Sequence, residues 1–482
     1  MQKSKQKEIL IVCITTLIGT LSILSGLWVS KLNHYVFGLF LAVVAVALYF
    51  FQVFVISDRN WLDVRALFSG VWIFTIALAS LRLTDYQEQW QPKTWVLISL
   101  AYFAFQIGAT FGIGIGKKYC EGFLKKLSDF RIGRINFNLR EERLFLICVI
   151  TTIIGIICFV VNVVIKGFIP CFSNDPNAYL AFYTKLQIFS VAATGVSGLC
   201  AYCAFSQPIS LLKKVTLLLC IGYNTILYPI FIVSRGTFLA SAVSVTVVLF
   251  YLYSKKLTVL ITCLCVIFGV YVGCSYLRNY TDEQLSVFFE PSKIVIDNDK
   301  DDNNEDKDDN VGNDSQNNSQ VTFSLPPKVS WIYSYLTVSH DNFNEAVQNT
   351  QRFTYGTRQF APFNSIFRSD WIDKQNEKAE HHLVRPHLNT TNLIGDFFYD
   401  FGEIGVFVCM LIWACIFGIN QGMCEKKKNV FLLVLLGNTI VPIIFCFFAS
   451  WTSVFSQWLL WGVVLIFILA ACINVKSKLI KK

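Results

Sequence analysis

Twelve stretches of about 16–23 residues carry almost no charge, and no other feature constrains the chain as strongly. They run over about 8–29, 35–57, 66–81, 94–115, 144–165, 186–206, 215–233, 237–254, 257–277, 404–424, 429–450 and 456–475. A helix needs ~20 apolar residues to cross a ~30 Å hydrocarbon core. The runs are continuously apolar and therefore read as helices, whereas barrel strands alternate over about ten residues. Composition agrees, with 54% hydrophobic and 15% charged residues, against ~25% charged in an average soluble domain. A disordered chain, a coiled coil and a nucleic-acid-binding domain are excluded. A soluble enzyme of this size would need more charge to cover its surface. The fold class expected is an all-α polytopic integral membrane protein with about 12 transmembrane helices and one large extracytoplasmic loop.

Lysine and arginine set the expected orientation. With the N-terminus in the cytoplasm, 24 of them fall on the inner side and six in the short outer connections: Lys31, Arg82, Lys93, Lys166, Lys185 and Arg235. The bias follows the positive-inside rule and places both termini in the cytoplasm. The first run is long for a signal-peptide core, and no clear small-x-small cleavage site follows it. The net charge of +9 divides unevenly. Residues 277–392 hold 11 Lys/Arg and 18 Asp/Glu, leaving +16 for the rest, beside an anionic inner leaflet. Most of the sixteen cysteines lie within the runs, so no disulfide framework is expected, and the Cys200/Cys203 pair reads as packing.

The long connection divides the chain into a membrane bundle of nine spans (1–277), an extracytoplasmic loop (278–403) and a second bundle of three spans (404–482). Within the loop, 297–320 reads DNDKDDNNEDKDDNVGNDSQNNSQ, too polar and acidic to build a core. It lacks the glycine and terminal glutamate of a calcium-binding EF-hand loop. Residues 331–347 space Trp331, Ile332, Tyr335, Leu336, Phe343 and Val347 as an amphipathic helix, on the membrane interface or capping the bundle. Arg352, Arg358, Arg368 and Arg385 follow, and four of five histidines (His340, His381, His382, His387) lie in this loop. Arginine binds phosphate with two donors at any pH, and histidine moves protons near neutrality.

No apolar run has a charge in its interior, which argues against an ion-coupled transporter, and no phosphate-binding loop or metal-ligand spacing is present. Two other segments stand out. Ser234-Arg235-Gly236 forms a tight outer hairpin that would hold Arg235 at headgroup level, with Gly236 permitting the turn. Asn389 to Gly405 leads into the tenth run, and on a helix its Asp396, Asp400 and Glu403 would share a face.

The Ser234-Arg235-Gly236 hairpin, the large late loop, Arg385-Pro386, Asn389, Thr391, and Tyr399-Asp400-Phe401-Gly402 with Gly405 together resemble the Wzy-type O-antigen and oligosaccharide repeat-unit polymerases. The topology is similar over nearly the whole chain and the motifs over about thirty residues. The resemblance implies a glycosyltransferase of the bacterial cytoplasmic membrane, acting at its outer face. It would join undecaprenyl-pyrophosphate-linked repeat units into O-antigen, capsule or exopolysaccharide, with no cofactor and no metal. A chain-length regulator and a flippase of the same pathway are the partners implied, and nucleic acid is not. The expected catalytic residues are His340, His387 and Asp400. The expected substrate-binding residues are Arg235, Arg352, Arg358, Arg385, Asp396 and Tyr399. An O-antigen ligase shares the topology and is the first alternative; a polysaccharide flippase or transporter is the second.

Overall fold

The computed structural model describes residues 2–129, 131–132, 135–137, 141–173, 178–182, 184–206, 208–254, 256–276, 326–367, 370–376, 379–386 and 388–475. The acidic stretch 297–320, Arg368 and His387 lie outside them. The helices are α1 (Gln2–Leu24), α2 (Gly26–Leu32), α3 (His34–Phe51), α4 (Val64–Ser80), α5 (Pro92–Asp129), α6 (Glu141–Lys166), α7 (Gln187–Gly195), α8 (Ser197–Phe205) and α9 (Leu211–Gly222). They continue with α10 (Arg235–Leu252), α11 (Leu257–Tyr276), α12 (Pro327–Asn349), α13 (Thr357–Phe367), α14 (Asp370–Asn376), α15 (Gly395–Lys426), α16 (Val430–Ile444) and α17 (Phe455–Cys472). Each apolar run of the sequence falls mainly on helix, although the eleventh leaves it after Ile444 and the twelfth ends in the strand Ile473–Val475. Seven helical segments are long and apolar enough to cross a bilayer singly, and α1 with α2 form an eighth, bent by 44°. Four further apolar helices are shorter: Val64–Ser80, Leu257–Gly269, Val430–Ile444 and Phe455–Ala471. The chain is thus a polytopic, almost wholly helical membrane protein. The exception to an all-α chain is a small antiparallel sheet in the order β1 (Arg131–Ile132), β2 (Ile135–Phe137), β3 (Ile473–Val475).

Which face of each helix meets lipid is visible in the packing. On α3, Phe37, Leu41, Ala45 and Leu48 are buried, while Val36, Leu39, Val43, Val46 and Phe50 are exposed around the other side. Water would penalise such a surface by ~25 cal/mol for each Å² of it, whereas lipid tails would not. With little hydrophobic drive between helices in lipid, the bundle is held by close backbone approach and polar ties. The α5–α15 seam uses the first. A Cβ on Gly108, Gly112 or Gly116 would lie 2.4, 2.1 and 2.2 Å from the carbonyl oxygens of Leu411, Cys415 and Ile419. From the opposite side, Gly418 and Gly422 press on the carbonyls of Ala109 and Ile113. A polar knot inside the bundle supplies the second. Gln106 Nε2 donates to Ser69 Oγ at 2.9 Å and to the Arg65 carbonyl at 3.1 Å, and Tyr102 Oη lies 3.0 Å from Ser69 Oγ.

The loops sort into two ends, as the up-and-down course of successive helices requires. At one end Asn60 donates to Tyr251 and Glu425 at 2.9 Å, Lys117 pairs with Glu425 at 2.9 Å, and Lys428 reaches Ser254. Buried Arg65 is clamped there by Asp63, through Nε at 3.1 Å and Nη2 at 2.9 Å. At the other end α12 to α14 and residues 379–395 meet the loops around Asp85, Arg235 and Ser453.

Candidate functional site

Helix α12 is the platform of this second end, and it is seated in the bundle through its polar residues. Asp341 is buried and accepts from Trp90 Nε1 at 2.8 Å and Gln87 Nε2 at 3.1 Å. Asn344 accepts from the Gln91 amide at 2.9 Å and Thr94 Oγ1 at 2.8 Å. Asn342 pins the returning chain, donating to the carbonyls of Leu388 and Thr390 and accepting from the Val384 amide at 2.9 Å. Ser339 donates to the Phe447 carbonyl. The helix caps the bundle, and its Phe343 and Val347 are buried as the apolar spacing requires. Ile332 is exposed.

His340 lies wholly enclosed in that platform. The Thr75 hydroxyl donates along its own helix to the Val71 carbonyl at 2.9 Å, so it accepts from His340 Nε2–H at 3.0 Å. Nδ1 then accepts from the Asn392 amide at 3.2 Å. The ring stands edge-on to Trp72, 5.1 Å between centroids. Burial pushes its pKa down to about 3, so the imidazole is neutral with both nitrogens occupied. The sequence offered His340 as a base; the fold makes it a structural link between α4, α12 and the entry to α15. Burial acts oppositely on its neighbour, raising Asp341 to about 7 against the pull of Trp90 and Gln87.

Arg358 occupies the first turn of α13, and its side chain is 9% exposed. Its guanidinium carbon lies 3.7 Å from the centre of the Tyr399 ring, Nη1 is 3.5 Å from Asp396 Oδ1, and Nη2 donates to the Glu380 carbonyl at 2.5 Å. Asp396 also accepts from Ser453. Tyr399 Oη accepts from the His382 amide at 3.1 Å, and the His381 ring is 6.3 Å from the tyrosine ring. His381 is pushed below its ordinary value, first by desolvation and then by the Arg358 charge, which favours the neutral imidazole near pH 7. Glu380 accepts from the Gln351 amide at 2.9 Å and sits 3.2 Å from His382 Nε2; these bonds, the Gln351 amide foremost, lower its pKa.

Asp400 is fully buried and its carboxylate faces the start of α13, taking Thr354 Oγ1 at 2.6 Å and the amides of Arg358 at 3.1 Å and Gln359 at 3.0 Å. The common face expected for Asp396, Asp400 and Glu403 is not formed. Gly402, at φ 64° and ψ −147°, breaks α15 between Asp400 and Glu403. Glu403 pairs instead with Lys93 at 2.6 Å. Only glycine takes this backbone without strain, and a Cβ there would lie 3.0 Å from Phe353 Cζ.

Arg235 begins α10 behind the N-cap Ser234, whose hydroxyl accepts from the Thr237 amide. Its guanidinium lies 4.3 Å from the Trp331 ring centre and 5.4 Å from that of Tyr335. The turn is not made by Gly236: the positive φ, 52°, falls on Val233. One connection touches both arginine groups. Phe448 stacks on Tyr335 at 5.2 Å, and Ser453 bonds to Asp396, the partner of Arg358. The structure therefore joins Arg358, Asp396 and Tyr399 in one cluster and links Arg235 to it through 448–453. Arg385 pairs with Asp85 across the end of the bundle, and Arg352 is exposed. Among the described residues no group of three or more His, Cys, Asp or Glu is placed to hold a metal.

Glu380, Thr354 and Ser453 escaped the sequence reading because each acts through a partner far along the chain. The dense polar run Ser339-His340-Asp341-Asn342-Phe343-Asn344 was a signal: so many polar side chains between aromatic residues need fixed partners if buried.

No curated protein and no solved structure matches the chain. Residues 322–444, about a quarter of its length, match the family model described as “Putative O-antigen polymerase”. That stretch contains α12 to α16, including the Arg358 cluster. Over it the chain is similar to the O-antigen polymerases, the family that its Arg385–Gly405 segment resembles.

Proposed function

We propose that this membrane protein is a polysaccharide polymerase that joins lipid-linked oligosaccharide repeat units at the outer face of the bacterial cytoplasmic membrane. In this reading all twelve apolar helices serve as spans, both termini are cytoplasmic, and α12 to α14 form the lid of the outer end. The observation that carries it is Arg358, a nearly buried guanidinium held face-on to Tyr399 inside the segment that matches the polymerase family. A fixed, partly desolvated cation stabilises charge that develops on a departing group, and one good donor contributes roughly 10²–10³-fold. Pyrophosphate is such a group, and the lipid that bears it arrives from the side of the bundle.

The acceptor hydroxyl attacks the anomeric carbon of the donor, its bond to pyrophosphate breaks, and the hydroxyl proton passes to a base. Arg358 and Arg235 hold the pyrophosphate, with Arg352 and Arg385 at the rim, and Asp396 and Tyr399 orient Arg358. Beside this cluster, His381 is the base candidate, its pKa held below the ordinary value, and His387 is the base candidate read from the sequence alone. Enclosed His340 holds structure in place of the base role expected from sequence, and Asp400, expected as catalytic, is enclosed with it. The test is transfer in liposomes containing purified protein, undecaprenyl-pyrophosphate-linked repeat units and a lipid A core acceptor. A ladder of lengthening lipid-linked glycan that vanishes in Arg358→Ala is the expected result. A single repeat handed to a lipid A core without lengthening would make the protein a ligase. Movement of the lipid across the bilayer with no new glycosidic bond would make it a flippase.

A further inference from the structure

We propose that Asp400 is a positioning residue whose buried carboxylate fixes Arg358 over Tyr399, an assignment that rests on the reading of Arg358 as a pyrophosphate binder. The first amides of a helix have no partner within it, and a carboxylate placed there is favoured by the helix dipole. Helix α13 meets that need from another element. Asp400 Oδ1 accepts from Thr354 Oγ1 at 2.6 Å and the Arg358 amide at 3.1 Å, and Oδ2 accepts from the Gln359 amide at 3.0 Å. The main chain repeats the clip, for the Thr354 amide donates to the Tyr399 carbonyl at 2.9 Å and the Tyr355 amide to the Asp400 carbonyl at 3.0 Å.

Both ends of Arg358 are therefore registered against the same two residues. Asp400 holds its backbone, and Tyr399 carries its guanidinium at 3.7 Å. The kink at Gly402 directly after this pair lets the first turns of α15 leave the axis of the span and face α13. Asp400 itself is fully buried with its oxygens turned to the helix amides, so it acts on substrate through Arg358. A reacting group displaced by about 1 Å can lose ~10²-fold in rate, which is the scale on which such a clip matters.

A double-mutant cycle tests the assignment, using the liposome transfer assay and proteins matched for amount in the membrane. Asp400→Asn swaps an acceptor oxygen for an NH₂ group that faces an amide donor. Thr354→Val removes the 2.6 Å partner without touching the carboxylate and serves if Asp400→Asn does not fold. Each is made alone and on Arg358→Lys, which keeps a charge and residual turnover. The expected result is a loss of roughly 10–100-fold with Arg358 present and under about threefold on the lysine background, with an unchanged shape of the pH–rate profile. Equal losses on both backgrounds would overturn the proposal. So would a vanished acidic limb in Asp400→Asn, which would make Asp400 a base. If Arg358→Lys and Arg358→Ala both transfer at the wild-type rate, the polymerase site itself is misplaced, a failure distinct from that of the clip.

Discussion

Arg358 and Arg235 both lie face-on to aromatic rings, Tyr399 at 3.7 Å and Trp331 at 4.3 Å. A planar guanidinium can stack and still present its edge to phosphate oxygens, whereas a lysine ammonium is a point charge without a fork. Arg235→Lys is accordingly expected to lower glycan transfer about tenfold with normal protein levels, the equivalent of losing the second donor of a bidentate phosphate contact. Arg352→Lys, at an exposed position, should change transfer less than about twofold. Side-by-side turnover in liposomes checks both. The neighbours His340 and Asp341 give a second prediction. Folded His340 titrates near 3 in place of 6.5, so its contribution to stability is lost as pH falls below about 6.5. Folded Asp341 titrates near 7 in place of 3.8, so its contribution is lost as pH rises from about 4 towards 7. The two slopes oppose each other between pH 4.5 and 6.5. Thermal unfolding midpoints in detergent should then fall with rising pH in His340→Gln and with falling pH in Asp341→Asn, and like slopes in both variants would contradict the pairing.

At the scale of elements, the apolar runs were legible because lipid selects for one property over ~20 residues, and no partner need be known. Helix α12 was legible as amphipathic, but its polar residues were not legible as its anchors, since Asp341 finds Trp90 and Asn342 finds Leu388 only in the folded chain. The common face of Asp396, Asp400 and Glu403 failed for a local reason: three-and-four spacing assumes a continuous helix, and Gly402 ends it. Gly402→Ala should cost about 1–3 kcal/mol from the backbone alone and misalign Tyr399 with Arg358. Loss of transfer that exceeds the loss of folded protein is the expected signature. The α5–α15 seam was also written in the sequence, as Gly108, Gly112 and Gly116 facing Gly418 and Gly422, and it registers only once two helices are paired. Gly112→Leu would drive a side chain into the Cys415 carbonyl and should remove the monodisperse peak of a fluorescent fusion in detergent. Gly114→Leu, where a Cβ meets nothing within 4 Å, should leave the peak in place.

At the scale of the molecule, two separate lines bear on sidedness. The lysine and arginine count groups the connections near 60, 117–143, 255 and 427 on one side. The packing joins members of that group to one another, Asn60 to Tyr251 and Glu425, Lys117 to Glu425, and Lys428 to Ser254, while Arg385 meets Asp85 at the other end. Charge gives the expected cytoplasmic end and geometry says which loops share an end; neither uses the other's information. The chemistry proposed depends on their agreement, because a pyrophosphate-linked glycan already translocated can be met only at the outer end, which in that proposal carries Arg358. Alkaline phosphatase fused after residue 88 or 172 should therefore be active, and fused after residue 60 or 427 inactive, with green fluorescent protein giving the reverse. An active phosphatase at 427 would turn the bundle over, put Arg358 on the cytoplasmic side, and make a donor built in the cytoplasm the only substrate the cluster could meet.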